Sequence, residues 1–113
     1  MNITLIQPTT GGTDVEPPKG LACLAAYLNR AGHDVRLIDL QIADIRKKWE
    51  SIFTSEPVDV VGLTAMTPQV KDAHNIALKI RTLKPDIPII LGGVHATVLP
   101  EKPFRNSQHL IYA

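Results

Sequence analysis

The sequence has a single cysteine, Cys23, among 113 residues. One thiol closes no internal disulfide and holds no iron–sulfur cluster. A chain without disulfides reads as cytoplasmic. Aromatic residues amount to 4%, so the core must be aliphatic. An excess of one charge is missing too, because 12 Lys and Arg meet 11 Asp and Glu for a net +1. Nucleic-acid partners call for a clustered basic surplus, so none is expected. No apolar run approaches membrane-spanning length, and no basic stretch followed by an apolar one opens the chain. Membrane insertion and a signal peptide are therefore not expected. The sequence has neither G-x-G-x-x-G nor the Walker pattern, which leaves those kinds of nucleotide binding unsupported. No two histidines have metal-ligand spacing, and no nucleophile–base grouping can be assembled, so no catalytic or metal-ligating residue is assigned.

What is present is a globular composition, 44% apolar, at a length that suits one domain. Ile3 to Ile6 forms a short apolar run closed by Pro8 and reads as a buried strand. Residues 8–18 are rich in Pro, Thr and Gly, which is loop chemistry. A helix follows Pro17-Pro18, with Leu21, Leu24, Ala25 and Leu28 on one apolar face. Cys23 lies just off that face and reads as a small buried or border residue. Gly32 supplies the left-handed position that ends the helix.

Val35 to Leu40 is a second strand. Ile42, Ile45, Trp49, Ile52 and Phe53 then repeat at helical spacing up to a stop before Pro57. Asp39 reads as a cap for that helix, and Arg46, Lys47 and Lys48 as its wet face. Val58 to Leu63 is a third strand. Thr67 suits an N-cap and Pro68 the first turn of a third helix, whose apolar face is Val70, Ala73, Ala77 and Ile80. Pro88 to Leu91 is a fourth strand ending in Gly92-Gly93. Residues 94–108 read as loop with a short helical turn near Val98. Leu110 onward reads as a fifth strand, cut short.

Such alternation predicts a parallel sheet with helices on both faces. In a sheet of this kind ligands bind at the carboxyl edge, where the strand order reverses. With order 2-1-3-4-5 the crevice lies between the loop after Ile6 and the turn at Thr64. That turn can be a plain helix cap or a site for an anion or hydrogen-bond acceptor. Gly92-Gly93 can be a tight strand exit or a place where backbone approaches a flat partner. Among the histidines only His95 follows a strand at this edge, as a hydrogen-bonding loop residue or a ligand. His33 reads as solvated and His74 as exposed or at a border, while His109 is uninformative.

Several runs resemble a known family. They are Pro17-Pro18-Lys19-Gly20-Leu21, Leu24-Ala25-Ala26-Tyr27-Leu28, Ala31-Gly32-His33-Asp34-Val35 and Pro57 to Thr64. The most specific is Pro88 to Thr97 with Pro100-Glu101 behind it. Together they resemble the N-terminal cobalamin-binding domain of cobalamin-dependent radical S-adenosylmethionine enzymes. That group includes anaerobic magnesium-protoporphyrin IX monomethyl ester cyclases and several methyltransferases. The resemblance covers essentially residues 1–113, read as one domain of a longer enzyme.

It implies a flavodoxin-like, Rossmann-like three-layer α/β sandwich of strand order 2-1-3-4-5. Better-known cobalamin domains carry D-x-H-x-x-G, S-x-L and G-G after strands one, three and four. Here Gly92-Gly93 matches the third and Thr64-Ala65-Met66 is a version of the second. Asp14 to Gly20 has no histidine, so the resemblance implies cobalamin held without a histidine on cobalt. The implied cofactor-binding residues are Thr9, Thr10 and Gly11 in the first loop, then Thr64, Ala65, Met66 and Thr67. Gly92, Gly93, Val94 and His95 complete the set. The implied partner is the C-terminal radical S-adenosylmethionine domain of the same polypeptide. The [4Fe-4S] cluster and S-adenosylmethionine would sit in that domain, since the cluster needs three closely spaced cysteines. The competing reading is a flavodoxin-like interaction domain without the cofactor.

Overall fold

The computed structural model describes residues 1–9, 19–64, 70–92 and 110–112. Strand β1 spans Asn2–Gln7 and helix α1 Lys19–Arg30. Strand β2 (Asp34–Asp39) and helix α2 (Ala43–Thr54) follow. Next come strand β3 (Val60–Thr64) and helix α3 (Val70–Leu83). Strands β4 (Ile89–Gly92) and β5 (Leu110–Tyr112) complete the described elements. All neighbouring strands run parallel, in the order β2-β1-β3-β4-β5. The expected flavodoxin-like order is thus the observed one. The short turn expected near Val98 and the caps at Thr67 and Pro68 lie outside the described residues.

Strand residues alternate between two faces, and two separate apolar clusters use that alternation. Ile3 and Leu5 of β1 pack with Leu21 of α1, joined by Val35 and Val60. Ile6, Ile38, Val61, Leu63, Ile89 and Leu91 face the other way, against Phe53 of α2 and Ala73, Ile76, Ala77 and Ile80 of α3. Among the described residues, one helix therefore covers the first face and two cover the second.

Helix α1 buries less than its pattern promised. Leu21 is buried, Ala25 and Leu28 are half-buried, and Leu24 and Tyr27 are exposed. Cys23 is exposed as well. It lies two residues past Leu21, about 200° around a helix of 3.6 residues per turn, and so points away from the sheet. The helix ends as expected. Gly32 has φ 93°, the His33 amide donates to the Leu28 carbonyl and the Gly32 amide to the Asn29 carbonyl. Those two bonds together are the Schellman motif. His33 is half-buried rather than solvated, with its Nδ1 shielded from water.

Helix α2 is not one straight run. Lys48 takes φ −131° and ψ 20° and breaks it. The two halves are held by different bonds. The Arg46 guanidinium donates to the Leu40 carbonyl at 3.1 Å. Arg36 on β2 donates to the Ile52 carbonyl at 2.6 Å and the Phe53 carbonyl at 3.0 Å. Arg36 also donates to the Thr4 hydroxyl at 3.3 Å, which explains a threonine 2% exposed inside β1.

Candidate functional site

The carboxyl edge of the sheet is built from the ends of β1, β2, β3 and β4. Strand order reverses between β1 and β3, because β1 pairs with β2 on one side and with β3 on the other. A crevice opens at such a reversal because the connections leaving the two strands run to opposite faces.

Thr64 closes β3 and Gly92 closes β4, and the two are register partners. Val61, Leu63, Ile89 and Leu91 point toward α2 and α3, so Thr64 and Gly92 share the face that α1 covers. Both are half-buried. Among the described residues, a Cβ added at Gly92 would meet no atom within 4 Å. Two residues back along β3, Gly62 is the opposite case, for a Cβ there would come within 2.7 Å of Leu5 Cδ2. Among the described residues the sheet is therefore filled behind the edge and uncovered at it.

The connection after β1 is tied to the element that follows β3. The Thr9 amide donates to Asp72 Oδ2 at 2.9 Å, and Asp72 lies in the first turn of α3. Burial raises the Asp72 carboxyl above its ordinary value, while the Thr9 hydrogen bond and the charge of Arg46 pull the other way. Arg46 is thus not merely solvated, because it holds the Leu40 carbonyl and faces Asp72. The Leu40 amide in turn donates to the Gln7 carbonyl at 2.9 Å. Asp39 does not cap α2. Its Oδ1 accepts from the Gln41 amide at 3.0 Å and braces the turn, and the N-cap, Ile42, has no side-chain bond.

Of the expected site residues, Thr9, Thr64 and Gly92 are found at this edge. Thr10, Gly11, Ala65, Met66, Thr67, Gly93, Val94 and His95 lie outside the described residues. Asp72 was missed because a lone carboxylate in an amphipathic helix looks like an ordinary first-turn acid. Only its long-range partner distinguishes it. Among the described residues no cluster of His, Cys, Asp or Glu could hold a metal ion, and no helix is long and apolar enough to cross a membrane. A cleft also opens at the amino edge, between Asn2, Asn29, Arg36 and Pro57. Arg36 there is committed to the α2 carbonyls.

Residues 12–112 match the B12 binding domain family. The chain is 35% identical to an anaerobic magnesium-protoporphyrin IX monomethyl ester cyclase of Rubrivivax gelatinosus, over 92% of the chain and 21% of the relative. It is 34% identical to an uncharacterized methyltransferase of Pyrococcus horikoshii, over 93% of the chain and 24% of that protein. The chain thus spans about a quarter or less of the curated relatives it matches. Among solved structures it resembles the radical S-adenosylmethionine methyltransferase TsrM of Kitasatospora setae with cobalamin and a [4Fe-4S] cluster bound. The TM-score is 0.74 at 24% identity, covering 88% of the chain and 19% of TsrM. The response regulator TrrA of Thermotoga maritima shares the fold at a TM-score of 0.64 and 18% identity, over 99% of the chain and 85% of TrrA.

Proposed function

The chain belongs to the B12 binding domain family, and on that footing we propose that it is the cobalamin-holding domain of a longer radical S-adenosylmethionine enzyme. The observation that carries this reading is the pairing of Thr64 with Gly92 at the open end of β3 and β4. Thr64 offers a hydroxyl to the dimethylbenzimidazole tail, and Gly92 leaves room for that ring to lie flat against backbone. The connection that begins at Thr9 would supply contacts to the corrin. No histidine occurs between Asp14 and Gly20, so this stretch would offer no imidazole to the cobalt of a bound cobalamin. When bound, cobalamin supplies a cobalt centre that carries a methyl group or tunes radical chemistry. The chain's own task is to bind and orient it.

The catalytic step belongs to the rest of the parent enzyme, which is a cyclase or a methyltransferase acting in the cytoplasm. With Cys23 alone, the cluster and S-adenosylmethionine reside in a separate C-terminal domain. The test is titration of the purified chain with hydroxocobalamin and methylcobalamin. Binding shifts the visible corrin bands, and the cofactor co-elutes on gel filtration. For the missing imidazole, bound cofactor reduced to Co(II) is expected to lack nitrogen superhyperfine splitting in its electron paramagnetic resonance spectrum. A folded protein that leaves the spectrum unchanged refutes the proposal and supports an interaction domain without cofactor.

A further inference from the structure

Three elements meet at the carboxyl edge around one side chain. Asp72 rises from α3, accepts the Thr9 amide from the connection after β1, and lies in the field of Arg46 from α2. The partners are 63 residues apart in sequence, so the bond is not a local turn. Arg46 in turn fixes the Leu40 carbonyl beyond β2. The chain leaves β1 at the point where the sheet order reverses, and Thr9 is the position at which Asp72 holds it.

A backbone amide donating to a carboxylate makes a charge-assisted bond, shorter and stronger than one between neutral groups. The same carboxylate is partly desolvated, which costs free energy while it stays ionised. A purely structural contact between a loop and a helix could be made more cheaply with apolar side chains. The retained charge makes sense where the loop must be held in one direction. An apolar contact is non-directional, whereas a hydrogen bond to Thr9 fixes the path of the backbone itself.

Resting on the cobalamin reading above, we propose that Asp72 is a positioning residue. Its carboxylate holds Thr9 against α3 and so sets the mouth of the crevice that receives the corrin. Asp72 touches no cofactor in this scheme and acts only through the first loop. Asparagine keeps an acceptor oxygen in the same place, whereas alanine does not.

The experiment compares wild type, Asp72→Asn and Asp72→Ala in two measurements. The first is exchange of the Thr9 amide in the cofactor-free chain, followed by nuclear magnetic resonance. It is expected to speed up about tenfold or more in Asp72→Ala and to stay slow in Asp72→Asn. The second is hydroxocobalamin affinity by spectral titration, expected to fall about fivefold or more in Asp72→Ala and to be restored by Asp72→Asn. Wild type that fails to bind cobalamin refutes the function itself, and the positioning role falls with it. Wild type that binds, beside an Asp72→Ala variant with unchanged affinity or unchanged Thr9 exchange, overturns the positioning role alone. An Asp72→Asn variant as impaired as Asp72→Ala overturns it as well.

Discussion

Replacing Gly92 by valine separates binding from folding. Among the described residues no atom lies within 4 Å of a Cβ built at Gly92, and its φ is not in the left-handed region. The side chain therefore enters solvent-facing space and strains nothing. Glycine in a strand is less favourable than residues with a side chain, by roughly 0.5–1 kcal/mol relative to alanine, and valine has the higher β propensity. Stability of the cofactor-free protein should hold or rise by up to about 1 kcal/mol, a Tm increase of roughly 4–8 °C at most for a domain near this size. The space filled is the space assigned to the flat tail of cobalamin. Losing that contact should weaken binding by at least about tenfold, or ~1.4 kcal/mol. Gly62→Val is the contrasting control, because its Cβ would come within 2.7 Å of Leu5 Cδ2 and Leu5 is buried. Overpacking there should cost about 1–3 kcal/mol. Spectral titration measures the affinity, and thermal unfolding of the same samples measures stability. A Gly92→Val protein that binds hydroxocobalamin as tightly as wild type would refute the assignment of the tail to the end of β4.

Two further perturbations test other parts of the same edge and frame. Arg36→Met should lower stability by about 2–3 kcal/mol in urea unfolding, because hydrogen bonds from a charged group to the Ile52 and Phe53 carbonyls are lost. An unchanged midpoint would mean that those carbonyls find water instead. For Asp72 the folded-state carboxyl titrates above its ordinary value of 3.8, so protonation favours the folded state. Its contribution is fully present below pH 3.8 and is lost as pH rises through the folded value. Asp72→Asn stays neutral throughout, so its stability relative to wild type should increase from pH 3 toward pH 7 in parallel urea titrations. A difference that does not vary with pH would contradict the burial of this carboxyl.

The centres of β1, β3 and β4 were legible because each is a short apolar run with Pro or Gly beside it, and the sheet order followed from the family resemblance. Gly32 was legible for a similar reason, since a single residue type answers the need for positive φ. Boundaries slipped by one or two residues, as at β3, which starts at Val60 rather than Val58. The exposure of Leu24 was not legible, because periodicity tells which residues share a helix face and not how much sheet lies opposite. The break at Lys48 carries no proline or glycine to announce it. At the site, Thr64 and Gly92 could be found from their place after a strand. The Thr9–Asp72 bond could not, since it joins residues that only the folded chain brings together.

The fold by itself does not choose between cofactor binding and signalling, because a radical S-adenosylmethionine methyltransferase and a response regulator share it. The choice rests on what ends each strand. A receiver domain needs acids after β1 and an aspartate closing β3. Here β1 ends in Gln7 and β3 in Thr64. Among the described residues, Asp39 is engaged with the Gln41 amide and Asp72 with the Thr9 amide. Each therefore braces a connection, and Gly92 beside them presents backbone with no side chain. On the proposed reading, the hydroxyl of Thr64 beside the bare backbone of Gly92 receives the flat tail of cobalamin. The carboxylates brace the loops around it. That division of labour makes the Gly92 and Asp72 variants complementary. One fills the seat and leaves the loops in place, and the other loosens a loop and leaves the seat empty.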